Sequence, residues 1–148
     1  METYYIGFSL AALVTRLFLG IIFVGQGYSR LFKVGSKHVA DFFGEQLAGK
    51  NYPKWILPFS AYATSIVECI GGVLLILGLF RGVALCLLSI DILLVTFAFS
   101  VMQTIVDLEY IFPRLLLLLA LWLVPPSVDI YTLDQLLKSA FNIDTMLF

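Results

Sequence analysis

Charge is scarce in this chain. Only 13% of its 148 residues are Asp, Glu, Lys or Arg, where an ordinary soluble domain carries about 25%. The formal net charge is −1, and no basic tract offers a footprint for nucleic acid. Cysteine numbers two and histidine one. Cys69 and Cys86 form no CxxC pair, and no second ligand is spaced to join His38. Neither a dithiol motif nor a metal site is therefore expected. Haem-ligand pairs and flavin or nucleotide motifs are also missing, so no self-contained catalytic motif stands in the sequence. Met1, Glu2 and Thr3 lack the positive charge of a secretory leader, and the first apolar stretch contains Arg16. That stretch is expected to be a retained span.

What fills the chain is apolar surface. Hydrophobic residues make up 61%, and the mean hydropathy is +1.00. A soluble core cannot absorb that excess without exposing a large apolar patch, so lipid is its natural solvent. Residues 8–32, 58–80, 82–103 and 108–124 each approach the ~20 residues needed to cross a hydrocarbon core. Tyr4, Tyr5, Tyr52, Trp55, Tyr110, Trp122 and Tyr131 fall near the span ends, where part-polar rings form interfacial belts. Pro58 suits a first helical turn, Gly78 to Gly82 a tight helix–helix turn, and Pro125-Pro126 a stop. Pro113 either lies in the first turn of span four or interrupts a helix begun near Asp107.

Two further segments are amphipathic. Within residues 36–48, Val39, Phe42, Phe43 and Leu47 share one face, opposite Lys37, Asp41 and Glu45. Within residues 132–141, Thr132 and Gln135 have capping-box spacing ahead of Leu133, Leu136, Leu137, Ala140 and Phe141. The first is expected to lie on the membrane surface, the second on the membrane or against a partner. The predicted architecture is all-α: one domain over residues 1–148, an integral membrane four-helix bundle with interfacial helices in the first loop and the tail. The first and third connections carry more lysine and arginine than the opposite side, which places both termini outside the cytoplasm.

Four charges stand well inside the spans, away from their ends: Arg16, Glu68, Asp91 and Arg114. If residue 8 is level with Arg81 and residue 124, they lie ~12, ~19, ~15 and ~15 Å deep at 1.5 Å per residue. Charged groups at such depths usually face the bundle interior and pair or serve a function. Two cations and two carboxylates at one level predict an intramembrane network, which can fix helix faces or form a polar pocket. Gln26 and Tyr28 are candidates to extend it. Gly20, Gly25, Gly27, Gly71 and Gly72 are expected to allow close helix approach. Ser65, Ser89 and Thr96 more often bond their own helix backbone. The same rise puts Cys69 and Cys86 ~10 Å apart in depth, too far for a disulfide.

Arg16-Leu17-Phe18-Leu19-Gly20, followed by Gly25-Gln26-Gly27-Tyr28-Ser29-Arg30-Leu31-Phe32, resembles the first-span signature of the DoxX family. Glu68-Cys69-Ile70-Gly71-Gly72, leading through Gly78-Leu79-Phe80-Arg81, resembles its second. The likeness covers residues 12–103; Gln26 and Arg30 stand where the family often carries histidine and lysine. The resemblance implies a multi-pass inner-membrane protein. It also implies an accessory membrane subunit of a quinone- or thiol-related redox complex, with quinone as the cofactor to test and other membrane subunits or a second copy as partners. A membrane assembly or chaperone factor without a small-molecule site is the alternative. A proton-coupled exporter with Glu68 as carrier is a second.

Overall fold

The structure, a computed structural model, describes residues 2–34, 41, 44, 56–102 and 108–141. These residues hold helices and turns and no strand. Helix α1 (Glu2–Tyr28) continues into a π-helical turn, Ser29–Val34, and is followed by α2 (Ile56–Leu77), α3 (Arg81–Met102), α4 (Leu108–Leu123) and α5 (Leu133–Phe141). Three stretches are long and apolar enough to cross a membrane: Ile6–Lys33, Pro58–Leu77 and Arg81–Ala98. The fourth apolar stretch, Ile111–Leu123, is shorter. Its helix begins at Leu108, so Pro113 sits in the helix interior. Of the expected helix over residues 36–48 only residues 41 and 44 are described, both helical, and His38, the anchors Tyr52 and Trp55, and residues 142–148 lie outside the described residues.

The interior is thin because each helix has neighbours on one side only. Leu19, Phe23, Leu75, Leu88, Leu118 and Leu121 fill it. Outward, large apolar side chains stay bare, among them Ile21 at 65% exposure and Phe97 at 69%. Lipid tails solvate such surface at no hydrophobic cost, so the core need not be large.

Helices α1 and α2 run antiparallel and pack closest. Gly20 meets Gly72 and Ile76, and Gly27 meets Ser65 and Cys69. A methyl group at Gly72 would stand 2.9 Å from the Gly20 carbonyl oxygen and 2.8 Å from Val24 Cγ2. One obstacle is backbone, so relief requires moving a helix. Gly71 faces Leu88 of α3, whereas Gly25 has nothing within 4 Å. Gly25 therefore plays no part in close approach among the described residues.

The α2–α3 turn has its own chemistry. Leu79 N–H bonds Leu74 O at 3.0 Å and Gly78 N–H bonds Leu75 O at 3.2 Å. This pair of bonds is a Schellman closure, which needs a left-handed residue, and Gly78 supplies it at φ 65°. At the tail, Thr132 Oγ1 accepts the Gln135 N–H at 3.2 Å, as capping-box spacing predicts. The Gln135 amide instead reaches Pro126 O at 3.2 Å. Leu133, Leu136 and Leu137 of α5 remain exposed.

Gly72→Ala is expected to lower thermal stability in detergent by roughly 1–3 kcal/mol, the range for overpacking. Gly25→Ala should change it by less than ~0.5 kcal/mol, as at open sites. Equal effects of the two substitutions would contradict the packing described.

Candidate functional site

The α1–α2 register decides which charges meet. Arg16 lies against Gly78: a methyl group there would come within 2.5 Å of Arg16 Nη1. Glu68 is ten residues back along α2, a separation of ~15 Å at helical rise. The expected single network of Arg16, Glu68, Asp91 and Arg114 is thus divided. Its depth count set residue 8 level with Arg81, but α1 begins at Glu2 and runs past the α2–α3 turn. Ser9, beyond that turn, donates to the Val128 carbonyl of the tail. Arg16 consequently joins the turn end of the molecule, while the other three groups belong to an interior cluster.

The interior cluster is centred on Glu68, only 2% exposed. Arg30 Nη1 donates to both carboxylate oxygens at 2.9 Å. Arg30 stands in the π-helical turn, a wider turn that recurs at functional sites. From α3, Asp91 is buried and close enough to feel the charges of Glu68 and Arg30. Its Oδ2 carries no hydrogen bond. From α4, Arg114 donates to Gln26 Oε1 and lies within the field of Glu68 and Arg30. Two cations, two carboxylates and one amide thus converge from four stretches of helix. Tyr28, the other proposed extension, is exposed and packs on Phe32 with ring centroids 4.9 Å apart, outside the cluster.

The turn-end cluster is centred on Asp129, which is fully buried. Arg16 Nη1 meets its Oδ2 at 3.2 Å, and Arg81 Nη1 stands 3.7 Å from the same oxygen. Arg16 also donates to the Tyr131 carbonyl. Arg81 Nη2 donates to the carbonyls of Leu121 and Val124 at 2.5 and 2.8 Å. A cation there satisfies carbonyls that α4 leaves without helical partners, at the negative end of its dipole. Asp134 accepts the Phe80 and Arg81 N–H groups at 3.1 and 3.2 Å. It caps α3 from a distant part of the chain. Asp129 Oδ1, Arg16 Nε, and Arg81 Nε and Nη1 carry no hydrogen bond.

Several of these groups escape a count of charges within spans. Arg30 lies at the end of the first span, Arg81 in the predicted turn between two spans, and Asp129 and Asp134 follow Pro125-Pro126. The available signal was that a turn arginine flanked by glycines and an aspartate after a helix stop have opposite charge. The hydroxyls behave as their type predicts. Ser65, Ser89 and Thr96 donate to Ala61, Leu85 and Ile92 carbonyls, each at 2.7 Å. Ser89 also accepts Trp122 Nε1–H at 3.1 Å. Cys69 and Cys86 are free thiols.

Asp129→Ala would strand two buried guanidinium groups, and loss of one partner of a buried pair typically costs about 3–5 kcal/mol. Thermal unfolding in detergent should show a loss of that order. The double variant Arg16→Met, Asp129→Leu should recover part of it. A wild-type melting curve for Asp129→Ala would show that the pairing contributes nothing.

Against known proteins, no curated sequence and no solved structure matches this chain. The sequence model of the DoxX family matches residues 11–103, which span α1 through α3 and carry both Arg30 and Glu68. With apolar helices of membrane-crossing length and a family match over more than half its residues, this protein belongs to the DoxX family.

Proposed function

We propose that this protein is an accessory subunit of a redox-linked complex in the cytoplasmic (inner) membrane, where its interior cluster holds a quinone headgroup. In this reading α4 completes a fourth crossing, and both termini lie on the non-cytoplasmic side. The observation that carries the proposal is Asp91. It is 3% exposed, and its Oδ2 has no hydrogen bond although Arg30, Glu68, Arg114 and Gln26 are gathered nearby. A buried carboxylate oxygen left without a partner in an apolar helix is costly, and such groups mark ligand or proton sites.

The residues fit the headgroup. Quinone oxygens are acceptors, and Arg30 and Arg114 are donors in reach of the cluster. A bound quinone would supply two-electron redox chemistry, with electrons delivered by a partner subunit. The chain's own work is narrower. Arg30 holds Glu68 in place, Gln26 orients Arg114, and Asp91 carries the exchangeable proton. Glu68 itself is fully engaged with Arg30, which favours Asp91 for proton exchange.

The exposed leucines of α5 favour a second reading, an assembly factor that docks on other membrane proteins. Variants at Asp91 and Glu68 separate the two. In purified protein, Asp91→Leu should weaken binding of a short-chain quinone by up to about tenfold, as expected when the hydrogen bond donated by the protonated carboxyl is lost. Its melting temperature should stay within a few degrees of wild type. Glu68→Gln should weaken binding and also lower stability, because Arg30 loses its partner. If neither variant changes quinone binding while Glu68→Gln unfolds the protein, the cluster is structural and the docking reading stands.

A further inference from the structure

We propose that Arg30 and Lys33 bind the phosphate of an anionic lipid where the interior cluster meets the membrane. The site lies on the outer side of Arg30. It does not depend on the quinone reading, which concerns the groups buried behind that side chain.

Arg30 is only partly used within the chain. Both of its bonds to Glu68 leave from one nitrogen, Nη1. A guanidinium holds its N–H groups in a rigid planar fork. Nε–H and one Nη2–H point in parallel from the edge that Glu68 does not touch, and such an edge grips a phosphate through two bonds. Neither Nε nor Nη2 of Arg30 has a hydrogen-bond partner among the described residues. Arg16 Nε and Arg81 Nε also lack partners, but those two are sealed in the interior, whereas the free edge of Arg30 is not. The Arg30 side chain is 29% exposed, against 2% for the Glu68 side chain it holds. The pair thus straddles the protein surface, with the carboxylate inside and the unused donors outside.

Position decides which acceptor meets that edge. Arg30 stands in the π-helical turn Ser29–Val34, among the last residues of the membrane-length stretch Ile6–Lys33. A helix end at that place is level with the lipid headgroups. Lys33 lies in the same turn, is exposed, and carries no ion pair among the described residues. Tyr28 and Phe32, 51% and 71% exposed, offer apolar surface to an acyl chain beside the two cations. Charge selects the headgroup. Within the cluster the arginines Arg30 and Arg114 face the carboxylates Glu68 and Asp91, so Lys33 supplies the unbalanced cation. A phosphodiester without an amine keeps its net negative charge and is attracted, as basic sites at helix ends attract anionic lipid. A choline headgroup carries a cation that Lys33 opposes. Phosphate and Glu68 use different nitrogens, so the lipid braces Arg30 from outside and leaves its inner pair intact.

Short-chain phosphatidylglycerol is the probe, titrated calorimetrically into the full chain in a neutral, phosphate-free detergent. Its binding should saturate. Phosphatidylcholine of the same chain length should bind about fivefold more weakly or worse, the factor expected for one basic residue near an anionic headgroup. Inorganic phosphate, which has no acyl chain to place on Tyr28 and Phe32, should give no saturable heat over the same concentrations. Arg30→Lys keeps the charge and a donor for Glu68 but removes the two-pronged edge. It should weaken phosphatidylglycerol about tenfold, as for a lost charge-assisted hydrogen bond. Lys33→Gln, at an exposed position, should bring the two lipids to within about twofold of each other, because the fivefold factor came from that charge, and should melt as wild type does. Equal binding of the two lipids by wild type would overturn the proposal, as would full affinity in an Arg30→Lys variant that melts normally. Inorganic phosphate binding as tightly as phosphatidylglycerol would overturn it too, by identifying a free anion as the ligand. Should Arg30→Lys fail to fold, Lys33→Gln decides alone: undiminished preference for phosphatidylglycerol in that variant would sink the assignment.

Discussion

The fully buried carboxylate of Asp129 joins parts of the chain that are remote in sequence. Through Arg16 it holds α1, through Arg81 it holds the start of α3, and Arg81 in turn grips the last carbonyls of α4. Lipid offers little hydrophobic force between helices, so packing and polar contacts must specify which faces meet. A charge in that setting has one good alternative to lipid, which is a partner of opposite sign. The tail cannot leave Asp129 without stranding two cations. This ties the order of the 124–134 segment to the order of the helices.

The second pairing works differently. Glu68 and Arg30 close a contact between α1 and α2 at the other end of the same seam, and the small residues Gly20, Gly27 and Gly72 allow the backbones to approach there. At Asp129 one carboxylate oxygen answers two arginines, and the other has no hydrogen-bond partner among the described residues. At Glu68 one arginine answers one glutamate completely, and the neighbouring Asp91 is left short. Each cluster therefore has a paired carboxylate that fixes geometry and a buried oxygen without a hydrogen-bond partner among the described residues.

The site was only partly legible in the sequence. Arg16, Glu68, Asp91 and Arg114 stand out because ionisable residues inside apolar runs are rare, and Gln26 follows from its place near the end of the first span. What the sequence did not disclose was their partners. Arg30 lies at the very end of the first apolar run and Asp129 beyond Pro125-Pro126, where a charge is unremarkable. Helix depth was reckoned from assumed span ends, and α1 begins earlier than its apolar stretch, at Glu2. That shift is enough to carry Arg16 from one cluster to another.

Composition and periodicity by themselves determined an all-helical membrane protein, its approximate span limits, the α2–α3 turn at Gly78 and the cap at Thr132. Those features depend on local forces: the cost of placing backbone and charge in lipid, the left-handed turn that glycine accepts, and a hydroxyl three residues before an amide. Only the tertiary structure decided that Arg16 answers Asp129, that Arg30 answers Glu68 and that Arg81 is a buried clamp on α4. Pairing depends on the register between helices. Register is set by where glycines let two backbones touch, and no local property of either strand of sequence contains that distance.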